Sequence, residues 1–333
     1  MFNTPIVLII FRRPEFTRRV AEIVATLDPK TLFVIADGPR ADRPDEAALC
    51  ARTRAVIDEF KWNGTVIKHY SDVNLGCGRR PATGIDWVFS QVDEAIILED
   101  DCVPHPSFFR YCEEMLERYR DDERIMHIAG TTFRREPLPI SYSYTFSQMN
   151  AAWGWATWRR AWRHFDFNVA LWPELRGTSW LSEVLPDSRV EKFWADSFDR
   201  AYAPQGNLSY WDHQWAFAVW ANNGLAVVPR RNLITNIGCN RDGTHCADEN
   251  DIVGNLPAHQ IEFPLRHPPT VLHNRSLDRE FVRNVIAPRL FPPPPPVTTR
   301  IRKRARRILG QVKSLLGPSI SIQAFARHPA PHE

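Results

Sequence analysis

Cysteine, glycine and long apolar runs are all scarce in this chain, and each shortage removes a class of protein. The six cysteines among 333 residues (Cys50, Cys77, Cys102, Cys112, Cys239 and Cys246) form no Cys-x-x-Cys pair. Neither a zinc module nor a disulfide framework is expected, and the thiols are read as reduced. Only 15 residues are glycine. No phosphate-loop motif occurs, and the first strand-to-helix turn, Phe11-Arg12-Arg13-Pro14, contains no glycine, so the dinucleotide fingerprint fails where it would have to fall. The opening apolar run, Pro5 to Phe11, is too short to span a bilayer and lacks a basic leader. A cytoplasmic location follows from this reading.

Positive charge is also missing from most of the chain. Ten Lys/Arg fall in residues 281–333 against one acid, leaving 32 basic against 38 acidic residues before them. No nucleic acid is expected to bind the acidic body. The basic tail suits an anionic lipid surface, with peripheral attachment to the inner membrane face, or is simply a solvated terminus.

What is present is a regular alternation. Strand-like runs at Ile6–Phe11, Leu32–Ala36, Thr65–Tyr70 and Ala95–Leu98 are separated by helical patterns at Glu15–Leu27, Asp45–Phe60 and Ala82–Ser90. The fold class is therefore α/β, a doubly wound and mostly parallel sheet. A helix from Pro106 to Tyr119 and strands at Arg124–Ala129, Ser143–Gln148, Leu225–Val228 and Leu233–Ile237 follow. Ten of the twelve tryptophans lie between Trp153 and Trp220 and mark a second lobe. Trp155, Trp158 and Trp162 recur at helical spacing and at least two of them are expected to pack inward, leaving Trp153 and Trp211 for a sugar face. Five prolines from Pro292 to Pro296 mark a domain edge.

Ligands of a parallel α/β sheet bind outside the carboxyl ends of its strands. The residues there are Arg13, Asp37-Gly38-Pro39, Asn74-Leu75-Gly76 with Arg79, and Glu99-Asp100-Asp101. Arg13 suits nucleotide phosphates or is an exposed first-turn arginine. Asp37 suits a nucleoside base or ribose, or belongs only to its turn with Gly38. Asn74, Gly76 and Arg79 form a loop able to close over a nucleotide. Three adjacent acids after a buried strand repel one another unless a cation compensates them, and hard oxygen ligands suit Mn2+ or Mg2+. A metal ion on carboxylates is the alternative way to hold a diphosphate without a glycine-rich turn, and the plain reading of the same acids is a solvated turn at a strand end. His245, after Asp242-Gly243-Thr244, is a further candidate ligand.

These segments together resemble the GT-A glycosyltransferases. More narrowly, Pro5 to Pro14, Ala36 to Pro39, Asn74 to Gly76 and Ile97 to Cys102 are similar to the N-acetylglucosaminyltransferase I branch and to bacterial hemolytic-protein-like glycosyltransferases. Trp153 to Trp158 resembles that branch's acceptor-side motif. Trp211 to Trp215 resembles the helix carrying its catalytic base, and Pro229 to Gly243 its return loop. The likeness covers roughly residues 5 to 250. It departs at His213-Gln214, where relatives carry a more acidic pair.

The resemblance implies a nucleotide-sugar donor, with uridine as the default base, and a glycan or lipid-linked acceptor. It also implies direct contact of Asp101 with manganese, with Glu99 and Asp100 on the donor side, Asp100 facing the ribose or a metal-bound water. It divides the body of the chain into a nucleotide-sugar-binding half (1–130) and an acceptor-binding and catalytic half (131–290), and the proline run and charge mark a proline-rich linker with a basic tail (291–333) outside the likeness. The expected reaction is inverting transfer in cell-surface glycan synthesis, with Asp212 as base; Asp212 also suits a helix N-cap. Two other readings use the same residues: a metal-dependent nucleotidyltransferase or phosphohydrolase, and a non-catalytic carbohydrate-binding protein.

Overall fold

Uninterrupted apolar runs make the centre of the molecule. In the computed structural model, which describes residues 1–185, 187–203, 208–239 and 251–291, β1 (Ile6–Ile10), β2 (Thr31–Ala36), β3 (Thr65–Tyr70) and β4 (Glu94–Glu99) alternate with α1 (Pro14–Thr26), α2 (Glu46–Asp58) and α3 (Gly76–Phe89). Every residue of β1 is buried, as are Ala95 to Leu98 of β4. Such strands face helices on both sides and therefore read as continuous hydrophobic runs. β3 carries Thr65, Lys68 and Tyr70 because it is an edge.

Next come β5 (Cys102–Pro104), α4 (Ser107–Arg118), β6 (Ile125–Ala129), β7 (Tyr144–Ser147) and β8 (Trp155–Trp158). They are followed by α5 (Arg159–Trp162), α6 (Trp172–Leu175), α7 (Trp180–Val184), α8 (Ser188–Tyr202) and α9 (Asp212–Ala221). Last are β9 (Leu225–Pro229), β10 (Ile234–Asn236), α10 (Arg275–Phe281), a π-helical turn (Val282–Ile286) and α11 (Ala287–Leu290). The order in the main sheet is β3-β2-β1-β4-β8-β6-β9-β7, and β5 pairs with β10 in a separate antiparallel ribbon. β8 runs antiparallel to both β4 and β6, and β9 is parallel to β6. Six of the eight strands therefore point the same way, β7 and β8 being reversed. The α/β, mostly parallel architecture is as expected.

Two hydrophobic layers cover the sheet. One joins α1 and α4 to the faces of β1, β2 and β4 through Val20, Val24, Phe108, Met115 and Leu116. The other holds α3 and most of the tryptophans. β8 corrects the helical reading of Trp155 and Trp158. Three residues apart on a strand whose side chains alternate, they face opposite sides, with Trp155 in the α3 layer and Trp158 with Ala156 in the α4 layer. All three of Trp155, Trp158 and Trp162 are buried, as expected.

α3 begins earlier than its apolar pattern suggests, at Gly76 instead of Ala82, and carries Pro81 inside it. The first turn is held from outside the helix: both Asp37 oxygens accept its leading N–H groups, from Leu75 at 2.9 Å and Gly76 at 2.9 Å. Cys50, Cys77, Cys102 and Cys112 are not in disulfides, whereas Cys239 is disulfide-bonded, which corrects the expectation of uniformly reduced cysteine. No helix among the described residues is long and apolar enough to cross a membrane. Residues Met1–Leu290 form one compact unit. The proline run and basic tail lie outside the described residues, as does His245.

Candidate functional site

Because β1, β2, β4, β6 and β9 share a direction, their carboxyl ends lie along one edge of the sheet. That edge gathers Arg12 and Arg13 after β1, Asp37 after β2, the acids after β4, Gly130 to Phe133 after β6 and Arg230 to Asn232 after β9. β8 is reversed, so Trp153 and Gly154 enter from the same edge, where Gly130 N–H donates to the Gly154 carbonyl at 2.8 Å.

The acids after β4 have separate environments. Asp100 is turned into the protein, 8% exposed, and its Oδ2 accepts the Phe11 N–H at 3.2 Å, closing the turn after β1. Burial is the main cause that pushes its carboxyl up to about 7, followed by the Asp101 charge, with Arg13 opposing. Asp101 accepts Arg13 Nη1 at 2.9 Å, in a pair whose side chains are each 18% exposed. Burial raises its carboxyl too, against the pull of the guanidinium. The β5–β10 ribbon fixes Asp101 from behind: Ile237 N–H donates to its carbonyl at 2.9 Å, and Asn236 Nδ2 approaches Oδ1 at 3.5 Å. Gly238 lies directly against the carboxylate, so that a Cβ there would be 2.0 Å from Oδ2.

Glu99, at the end of β4, is pushed well above the ordinary carboxylate range by burial and then by the charges of Asp101, Asp212 and Asp100. Asp212 thus reaches the same acidic neighbourhood from the tryptophan-rich lobe. It is exposed and occupies the first helical position of α9, with Trp211 as N-cap and no side-chain cap bond. The N-cap role is therefore not the one it takes, although an acid in a first turn is favourable. The Asp212 side chain forms no hydrogen bond or ion pair among the described residues. Its place is set by contact of the preceding segment with α3. Cys77 Sγ donates to the Ser209 carbonyl at 2.8 Å, and a side chain on Gly78 would strike the Leu208 carbonyl at 2.3 Å.

Asp37 is an anchor of the donor-side loop. Its Oδ1 accepts Gly38 N–H at 3.0 Å as well as Leu75 N–H, and its Oδ2 accepts Asn74 Nδ2 at 3.0 Å as well as Gly76 N–H. These four donors occupy the carboxylate, so a nucleoside contact would have to displace one of them. Burial raises its pKa, and the backbone donors act against that shift. Asn74 also donates to the Gly38 carbonyl at 2.8 Å. Arg79 lies over the Phe167 ring at 4.7 Å. Trp211 is only 4% exposed and stacks on Trp155 at 5.6 Å, so it belongs to the core and not to a sugar-facing surface. Trp153 is half-buried, with its ring edge-on to Phe133 at 5.0 Å.

The donor set bears on a metal. Glu99, Asp101 and Asp212 carry hard oxygens, and the repulsion that the acidic neighbours of Glu99 add to the larger effect of its burial is what a divalent cation would relieve. No group of three or more His, Cys, Asp or Glu side chains among the described residues is arranged to hold an ion by itself. The arrangement fits a cation held by Asp101 together with substrate phosphate oxygens and water, the usual mode for magnesium.

No family model matches the chain, and no curated protein matches it in sequence. Solved structures with a similar fold include a UDP-glucose pyrophosphorylase complexed with UDP-glucose (8% identity, 70% of this chain and 92% of that chain, TM-score 0.35). Others are the galactosyltransferase LgtC with donor and acceptor sugar analogues (12% identity, 65% and 70%, TM-score 0.33) and a 4-diphosphocytidyl-2C-methyl-D-erythritol synthase from Anaerococcus prevotii (10% identity, 64% and 84%, TM-score 0.30). Similarity this low carries no argument about activity.

Proposed function

We propose that the chain is a GT-A-type glycosyltransferase that moves a sugar from a nucleotide-sugar, with UDP as the default carrier, to a hydroxyl of a glycan or lipid-linked acceptor. The observation that carries this reading is the convergence of acids from separate elements: Glu99 and Asp101 after β4, and Asp212 at the start of α9, close enough for the charges of Asp101 and Asp212 to add to the burial that raises Glu99. The branch that includes N-acetylglucosaminyltransferase I is the preferred relative on the motifs quoted above.

Transfer needs negative charge neutralised on the departing diphosphate and a proton taken from the acceptor. Bound Mn2+ or Mg2+ would supply Lewis-acid stabilisation of the diphosphate, with Asp101 as its protein ligand. Arg13, beside Asp101, supplies a second positive charge toward the phosphates. Asn74, Gly76 and Asp37 hold the loop that covers the nucleoside. As the acceptor oxygen forms its bond to the anomeric carbon, the bond from that carbon to the diphosphate oxygen breaks and the acceptor proton passes to Asp212. Base and leaving group then lie on opposite faces of the sugar, which makes the transfer inverting. Contributing to cell-surface glycan synthesis, the enzyme would be held at an anionic membrane face by its tail, with ten Lys/Arg against one acid.

The test is a panel of nucleotide-sugars with and without manganese, read as protection against thermal unfolding, since a ligand of the native state raises apparent stability. One donor should protect only with the metal, and Asp101→Ala should remove that protection. Equal protection of Asp101→Ala and the natural chain rejects the site. Release of pyrophosphate from a nucleoside triphosphate, with no sugar transfer, would identify a nucleotidyltransferase instead.

A further inference from the structure

A concavity lies on the same edge of the sheet, beyond β6. It is a cleft of about 310 Å3 bounded by Thr132 to Glu136, Ile252 with Val253, and residues 277–285 at the end of α10 and in the π-helical turn. Small-molecule sites begin near about 300 Å3.

The wall formed by residues 131–133 is held in an unusual conformation by buried polar contacts. Asn232, 1% exposed, accepts Thr131 Oγ1 at 2.6 Å and the Thr132 N–H at 3.3 Å through Oδ1. Its Nδ2 donates to the carbonyls of Ile234 and Pro257 at 2.6 and 3.0 Å. Phe133 adopts φ +52°, in the left-handed region that a bulky residue rarely enters. Such strain costs about 1–3 kcal/mol and concentrates at ligand sites. Its ring stacks on Phe281 at 5.5 Å and meets the Trp153 edge, giving the cleft an aromatic floor.

The polar groups indicate the ligand. Thr132 lines the cleft at 6% exposure, and its buried hydroxyl has no hydrogen-bond partner among the described residues. An unpaired buried hydroxyl costs about 1–3 kcal/mol. The exposed side chains of Arg135, Glu136 and Asn284 also line the cleft and form no hydrogen bond or ion pair among the described residues, whereas Arg134 is paired with Glu280. Among the described residues that line it, two arginines and two glutamates balance, so these give the cleft donors and acceptors without an excess of either charge. An aromatic face with balanced donors and acceptors suits a neutral polyhydroxylated ring.

The cleft is linked to the acids by one strip of backbone. Gly238 touches Asp101, Cys239 follows it, and Gly254 packs on Cys239 so closely that a Cβ there would be 2.8 Å from Cys239 Cβ. Val253, next to Gly254, packs with Phe133 and Trp153 in the cleft wall.

We infer that this cleft, built from Thr132, Phe133, Arg135, Glu136 and Asn284, binds a neutral sugar ring of the acceptor and selects uncharged glycans. The inference rests on the glycosyltransferase reading. The experiment is saturation-transfer NMR on the full chain with a panel of neutral methyl glycosides (glucoside, galactoside, N-acetylglucosaminide) and methyl glucuronide as the anionic control. Expected is transfer to ring protons of at least one neutral glycoside and a weaker signal from the glucuronide. Arg135→Ala and Asn284→Ala should each weaken that glycoside by roughly fivefold to tenfold, the loss of one or two hydrogen bonds. Both variants should keep the metal-dependent protection by the nucleotide-sugar. The inference is overturned if no neutral glycoside binds, if the glucuronide binds best, or if both variants bind as the natural chain does. Glycoside binding in a chain that no nucleotide-sugar protects would leave the cleft standing and remove the transferase reading.

Discussion

His127 offers a measurement in which the predicted size follows from one buried ring. It lies on β6, fully buried, stacked on Trp155 at 5.0 Å with an interplanar angle of 13°. Its Nδ1 accepts Trp215 Nε1–H at 3.1 Å, and Nε2 donates to the Ala151 carbonyl at 3.0 Å, so both nitrogens are satisfied by a neutral ring. Burial pushes its pKa down to about 3, only partly opposed by the Ala151 contact. The unfolded chain binds a proton at the ordinary value of about 6.5, so protons favour unfolding between about pH 6.5 and 3. Stability is therefore intact above the unfolded value and falls as pH drops below it. At pH 5 the folded ring is still neutral, and the loss is about 2 kcal/mol relative to pH 7, set by the unfolded value alone. Urea unfolding at pH 7 and pH 5, compared between the natural chain and His127→Gln, isolates this contribution from the other titrating groups. Glutamine can hydrogen-bond both partners but does not titrate. The variant should lose about 2 kcal/mol less than the natural chain between the two pH values. Parallel losses in the two proteins would refute the neutral, buried imidazole.

Asp212→Asn should retain metal-dependent protection by the nucleotide-sugar while transfer falls by about 100-fold or more, the usual loss of a general base. Unchanged turnover would remove Asp212 from the mechanism. Gly238→Ala should force Asp101 from its position, because the added methyl would lie 2.0 Å from Oδ2. Overpacking of this kind costs about 1–3 kcal/mol. A lower unfolding midpoint and weaker nucleotide-sugar protection are expected together, and a variant unchanged in both would show that the strip does not constrain the carboxylate.

The first four strands and their helices were legible because strands buried on both faces must be apolar throughout, and amphipathic helices must repeat near every fourth residue. The start of α3 was hidden for a physical reason: Pro81 reads as a helix start, and the bonds that hold the first turn come from Asp37, far away in sequence. β8 was obscured because Trp155, Trp158 and Trp162 are spaced like a helix face, although a strand and a short helix present them to opposite layers. The acids after β4 could be located from their position behind an apolar strand. Their partners could not, since Asn236 and Gly238 reach Asp101 through a ribbon formed by distant segments. Nothing in Thr132-Phe133 announces a cleft, because a left-handed phenylalanine is a property of its surroundings. Trp211 misled for the converse reason: a tryptophan beside a candidate base looks functional until its ring is found stacked in the core.

The tether between Asp37 and α3 has a consequence for attempts to alter donor preference by exchanging loops. Residues 74–76 take their shape from a carboxylate on the neighbouring strand, so a transplanted loop without its own matching acid would arrive unsupported and leave Asp37 with buried, unanswered charge. Strand end and loop are one exchangeable cassette.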